Sequence, residues 1–154
     1  IAEWKKTAKD LVDVNTVVRL MEASDLKAGQ VIFNTNCVAC HKTDGGGRIG
    51  PNLTDKNWIL GGGIKNVFNT ISEGGRDGKG MISWKSELKP SQIAQVASYV
   101  LGFEGTTAAE PKAPEGDIWI DPDTPKDLET QNIKTEEGIE IVKDSTAVNV
   151  TMSN

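Results

Sequence analysis

The sequence predicts an all-α domain of three to five helices followed by an extended acidic tail. Three observations point there. Apolar residues recur at helical spacing in three separate stretches, whereas no alternating strand pattern occurs before residue 104. Composition also shifts at that point. Residues 1–103 hold 13 Lys and Arg against 10 Asp and Glu, while residues 104–154 hold 4 against 12, which accounts for the formal charge of −5. Four of the six prolines fall in the second part, and seven of the eight aromatic residues in the first. The expected organisation is therefore an N-terminal extension (1–23, read as a tether remnant), a helical domain (24–103) and a proline-containing acidic tail (104–154).

The helices follow in order. Ser24 or Asp25 is the expected cap of the first, with Leu26, Ile32 and Phe33 among its apolar positions and with Gly29 and Phe33 on one face. Ile64, Val67, Phe68 and Ile71 repeat at i, i+3, i+4 and i+7 in the second, bracketed by Gly61–Gly63 and Gly74–Gly75. Ile93, Val96, Ala97, Val100 and Leu101 form the third, with Pro90 suited to its first turn and Gly102 to its close. In the tail, Trp119 with Ile118 and Ile120 suggests contact with another surface, and Gly138 to Val142 reads as one strand. The chain has no internal repeat and no apolar run of the roughly 18–20 residues that span a bilayer. It is expected to be soluble as it stands, any signal or anchor having been cleaved or left out. A net negative charge argues against general nucleic-acid binding.

Both cysteines and the single histidine fall in one pentapeptide, Cys37-Val38-Ala39-Cys40-His41. C-x-x-C-H is the attachment signature of c-type haem. Two thiols one helical turn apart add to the haem vinyl groups as thioethers, and the following histidine ligates the iron. Other readings fare worse. A thioredoxin-like pair needs a preceding strand, and structural zinc needs four ligands where this cluster has three. A disulfide across two residues would be strained and leaves His41 unexplained. Gly45, Gly47 and Gly50 spell G-x-G-x-x-G, but they follow His41 directly and run into Pro51, so they read as a loop rather than a nucleotide site.

With one histidine, the second axial ligand has to come from another residue type, and a methionine thioether is the usual alternative. Met152 lies near the end of the tail and Met21 precedes the first haem helix. Met81 follows Gly74, Gly75, Gly78 and Gly80 in a loop, and is the candidate; a gap-filling core methionine is the bland alternative. A haem in the middle of these helices would also supply the core bulk that 5% aromatic residues do not.

Gly29-x-x-x-Phe33, Cys37 to His41, Gly50-Pro51-Asn52-Leu53, Met81 and the last helix with Tyr99 together resemble a class I cytochrome c. The resemblance implies the class I cytochrome c fold around one haem c bound covalently through Cys37 and Cys40, with His41 and Met81 on the iron. It implies that the first helix crosses the last, with Tyr99 approaching Phe33, and that the Pro51 carbonyl accepts a hydrogen bond from the proximal imidazole. It makes Trp58, Arg48 and Asn52 the candidates for holding the haem propionates, Trp58 being equally readable as core. Leu53 to Ile64 and Gly80 to Leu88 further resemble the haem-bearing subunit III of cbb3-type cytochrome c oxidases, most nearly the single-haem form of Bacteroidota.

The expected function is single-electron transfer by Fe(III)/Fe(II) cycling in a respiratory chain, as the haem head of a terminal oxidase or, alternatively, as a free periplasmic shuttle. An open-site haem enzyme or gas sensor is the competing class, and it would require Met81 to be off the iron. Lys42, Lys65, Arg76, Lys79 and Lys85 are candidates for a basic rim facing a redox partner, whether an oxidase core or a quinol-oxidising complex, and equally for a solvated surface. The chemistry of haem attachment places the chain in the periplasm or on the periplasmic face of the bacterial inner membrane. Membrane contact would come only through a missing anchor or a partner subunit. The tail's acidity suits either screening or docking.

Overall fold

The computed structural model describes residues 8–122. Four helices dominate it: α1 (Ala23–Asn36), the single turn α2 (Val38–His41), α3 (Gly63–Glu73) and α4 (Pro90–Leu101). Two two-residue strands, β1 (Asn57–Trp58) and β2 (Asp117–Ile118), pair antiparallel, with Asn57 opposite Ile118 and Trp58 opposite Asp117. β1 departs from the expectation of no strand before residue 104, because two residues are too few to show a period.

The centre of the fold is the crossing of α1 and α4. Gly29 and Phe33 are buried there, four residues apart on one helix face. Phe33 is fully buried, and its ring lies 5.5 Å from Tyr99 and 5.1 Å from Phe103, whose rings are themselves 5.2 Å apart. Such tilted aromatic contacts add about 0.5–1.5 kcal/mol per pair beyond area burial. Val67, Phe68 and Ile71 of α3 bring a third apolar face to Ile93, Val96, Ala97 and Val100 of α4.

Two helix ends differ from expectation. α1 is entered through Glu22, which makes no side-chain cap bond, so Ser24 and Asp25 lie inside the first turn. Asp25 instead accepts a hydrogen bond from the Gln95 amide at 3.0 Å, a tie to α4 that outweighs capping. Gly102 follows α4 but stays right-handed at φ −70°, and the left-handed turn comes later, at Gly105 with φ 82°. Pro90 does open α4, and Gln92 Oε1 accepts the Lys89 N–H at 2.9 Å.

Both chain segments outside 24–103 are more structured than composition implied. On the N-terminal side, Val17 is buried, the Ser91 hydroxyl donates to the Asp10 carboxylate, and the Leu20 N–H donates to Ser98 Oγ at 2.9 Å. On the C-terminal side, residues 104–119 form a strap. The N–H groups of Gly105, Lys112 and Trp119 donate to the carbonyls of Thr54, Gly46 and Lys56 at 3.0, 2.8 and 2.9 Å. The compact unit that holds the helices runs on past Phe103 to Trp119. Gly138 to Val142 fall outside the described residues, as does Met152. Among the described residues, no helix is long and apolar enough to cross a membrane.

Candidate haem site

The sequence around the pentapeptide folds into a cradle for its own histidine. Cys37 precedes α2 and its carbonyl accepts the N–H groups of Cys40 at 3.2 Å and His41 at 3.0 Å. That single turn sets Cys37, Cys40 and His41 at i, i+3 and i+4, on one side of the chain. The loop after it then folds back. The Gly47 N–H donates to His41 O at 3.0 Å, and those of Arg48 and Gly50 donate to Cys40 O at 3.0 and 2.9 Å. The helix end's open carbonyls are thereby satisfied. The turn needs left-handed backbone at Lys42 (φ 64°), Gly45 (φ 74°) and Gly47 (φ 89°). Gly50 is required for space: a Cβ there would stand 2.6 Å from His41 Cε1. The G-x-G-x-x-G run is thus explained by the path of this loop.

The fold-back also delivers Pro51. His41 Nδ1 lies 3.0 Å from the Pro51 carbonyl oxygen. A carbonyl only accepts, so Nδ1 carries the ring proton and Nε2 keeps its lone pair. Burial holds the imidazole below its usual pKa, the Pro51 bond works against that, and the Lys112 cation adds to the lowering. Burial and Lys112 both favour the neutral ring, the form that a metal ligand takes. Both cysteines are free, and burial, helped by Cys40, pushes the Cys37 thiol up to about 11. A thiol so protonated is a poor thiolate ligand or redox nucleophile.

Cys37, Cys40, His41, Pro51, Trp58 and Met81 all line one cavity of about 390 Å³, within the range of ordinary cofactor sites. Its walls are largely apolar, with Phe33, Leu53, Val67, Ile71, Trp84 and Val100 among them. Met81 is held there by the glycine loop. The Gly75 N–H donates to Met81 O at 3.0 Å, and a Cβ on Gly75 would stand 3.7 Å from the Met81 sulfur. Downstream, the Trp84 N–H donates to Ile71 O at 3.0 Å, and Lys85 pairs with Glu73 at 2.7 Å, so the loop is pinned to the end of α3. Met21, by contrast, is 68% exposed ahead of α1 and does not line the cavity. Two thiols, an imidazole with a free Nε2 and a thioether on one apolar cavity make a donor set that fits haem c.

Two of the sequence candidates are elsewhere. Arg48 is exposed and lines a separate shallow groove with Val38, Lys42, Thr43 and Asp44. Asn52 is buried and spent on structure: its amide donates to Lys112 O at 3.1 Å, and its Oδ1 accepts from the Thr54 N–H at 2.8 Å and hydroxyl at 2.6 Å. Neither lines the cavity. Of the basic-rim candidates, Arg76 and Lys79 do line it, whereas Lys42, Lys65 and Lys85 do not. Sequence reasoning missed Lys112 and Glu115, which reach the cavity from the strap. The available signal was that Lys112 is the one Lys or Arg between Lys89 and Lys126.

Residues 24–100 match the family model described as cytochrome c oxidase, cbb3-type, subunit III. The cbb3-type oxidase subunit CcoP of Cereibacter sphaeroides is 38% identical over 88 residues, covering 51% of this chain and 30% of that protein. CcoP of Rhodobacter capsulatus is 33% identical over 125 residues, 74% of this chain and 42% of its own. FixP of Bradyrhizobium diazoefficiens is 43% identical over 84 residues, 53% and 28% respectively. The chain spans about a third of the length of the relatives it matches. Among solved structures, cytochrome cL of Methylophaga aminisulfidivorans superposes with a TM-score of 0.59 at 25% identity, over 68% of this chain and 71% of that one. The helical architecture is the all-α class I cytochrome c fold. The chain belongs to the family of cbb3-type cytochrome c oxidase subunit III, a family of c-type cytochromes whose cofactor is haem c.

Proposed function

We propose that the chain is a monohaem electron carrier in a respiratory terminal oxidase, with one haem c attached through Cys37 and Cys40 and ligated by His41 and Met81. When bound, haem c supplies a one-electron Fe(III)/Fe(II) couple. The protein's own residues do the rest. Cys37 and Cys40 would carry the two thioether links, one helical turn apart. His41 would offer Nε2, with its proton held at Nδ1 by the Pro51 carbonyl, and that bond raises the basicity of the ligating nitrogen. Met81 would offer its sulfur from the opposite loop, favouring the reduced state as thioether ligation does. The apolar walls, Trp58 among them, would exclude water from the bound group. The observation that carries the reading is the 3.0 Å contact of His41 Nδ1 with Pro51 O in a cavity shared with both thiols and Met81.

Its redox partner would be the oxidase core on the periplasmic face of a bacterial inner membrane. A free periplasmic shuttle would use the same residues, and membrane fractionation of the native protein separates the two. The chemistry is tested on mature protein. Its mass should exceed that of the polypeptide by one haem, and replacing both Cys37 and Cys40 by Ser should abolish the excess. Met81→Ala should remove the weak red charge-transfer band of methionine-ligated ferric haem and lower the reduction potential. An unmodified mass sinks the haem reading, and an unaltered spectrum in Met81→Ala sinks that ligand.

A further inference from the structure

Lys112 and Glu115 lie beyond the segment matched to the family, yet the strap carries both to the cavity. The Lys112 backbone is pinned on both sides, its N–H donating to Gly46 O at 2.8 Å and its carbonyl accepting from Asn52 Nδ2 at 3.1 Å. Its ammonium lies 2.6 Å from Glu115 Oε1, with the two side chains 31% and 35% exposed. Arg76 and Lys79, from the loop after α3, line the same cavity. Lys112, Arg76 and Lys79 all hold the Glu115 carboxyl below its usual range, Lys112 foremost. Burial raises the Asp55 carboxyl, and Glu115 adds to that rise. Among the described residues, three cations thus converge on a rim whose one acidic lining residue is Glu115.

We infer that Lys112, with Arg76 and Lys79, forms the anion-binding edge of the cavity, taking the carboxylate side chains of the porphyrin, and that Glu115 holds the Lys112 ammonium in place. This rests on the haem reading above. The chemistry requires such a site, because carboxylates drawn against apolar walls are costly unless paired. Of the residues that the sequence offered for this task, Arg48 and Asn52 do not line the cavity, and Asn52 is bonded to Lys112 and Thr54. The strap therefore completes the cofactor site, and Lys112 is a positioning residue that also sets the local potential. A cation beside the haem favours the more negative, reduced state.

Redox titration of the full-length, haem-loaded chain at low ionic strength tests this, since half-exposed charges are then least screened. Lys112→Gln should lower the reduced-to-oxidised ratio at fixed potential about tenfold, a downward shift of ~59 mV for one electron. Glu115→Gln, which uncovers the cation, should shift it upward, and Lys112→Arg should restore most of the wild-type value. Shifts of opposite sign are not expected of a strap that only packs. Potentials unchanged in both Gln variants, or moved the same way, overturn the assignment. Should Lys112→Gln fail to retain haem, the upward shift of Glu115→Gln still decides. A wild-type chain without added porphyrin mass would instead remove the haem reading on which this depends.

Discussion

The backbone of Gly29 lies directly against Tyr99: a Cβ added at Gly29 would stand 2.9 Å from Tyr99 Cβ, and closer still to the Gln95 carbonyl. The helix crossing thus depends on a missing side chain. Gly29→Ala gains about 1 kcal/mol of helix propensity, but the methyl must push α4 away from α1 and so part Tyr99 from Phe33. Overpacking of this kind costs about 1–3 kcal/mol, so the variant should be less stable on balance. The denaturant midpoint should fall with an unchanged slope. A midpoint equal to or above wild type would mean that the helices part without cost.

That crossing was readable from sequence because glycine and phenylalanine four residues apart on a helix leave a local signature. The pentapeptide was readable for the same reason, its chemistry being confined to one turn. Met81 was readable through the glycines around it. Nearness in sequence to His41 does not say which way a loop residue faces: Arg48 and Asn52 do not line the cavity, and Asn52 turns inward to hold Thr54 and Lys112. The strap left even less trace. Its ties run from the N–H groups of Gly105, Lys112 and Trp119 to main-chain carbonyls, and any residue but proline can make them. Side-chain identity does not encode such bonds, so the acidic, proline-punctuated composition of 104–119 read as tail.

Gly50 offers a direct probe of the imidazole. Because a Cβ would stand 2.6 Å from His41 Cε1 and 2.9 Å from Nδ1, Gly50→Ala should force the ring to tilt and lengthen its bond to Pro51 O. The ferric form of the loaded protein should gain high-spin character and melt at a lower temperature. An identical spectrum with identical melting would show that the ring has slack, contrary to the packing described.

Asp55 provides a pH signature. Burial raises its carboxyl pKa, the Asn57 N–H at 3.0 Å opposes this, and Glu115 adds to the rise. Its Oδ2 is buried without a hydrogen-bond partner among the described residues. A group whose pKa is raised on folding weakens the native state as pH climbs from the unfolded value through the folded one, since the unfolded chain ionises first. Asp55→Asn keeps the acceptor for Asn57 and removes the charge. It should therefore be more stable than wild type at pH 7, with the advantage shrinking below the carboxylate range. Denaturant midpoints at neutral and acid pH give the comparison, and a constant deficit at both would refute the sign.

Asp44 works in the opposite direction and ties down the strap. Its Oδ1 accepts the Gly46 N–H at 2.9 Å and its Oδ2 the Ala109 N–H at 3.1 Å. These bonds hold the carboxyl below its usual range, Gly46 first and Ala109 next. A group whose pKa is depressed on folding supports the native state above the unfolded value, and that support is lost as pH falls through the folded one. The loss should be local, because Asp44 bonds a strap residue while the α1–α4 crossing stands on apolar packing. In Asp44→Ala, amide exchange at Ala109 and Lys112 should accelerate, with that of Ala97 in the buried face of α4 unaltered, the pattern of sub-global opening. Acidifying wild type should reproduce the same loss of protection relative to the intrinsic exchange rate at each pH, while the variant should show little further change. Exchange that quickens equally in strap and α4 would mean that the strap and the helical core open as one unit.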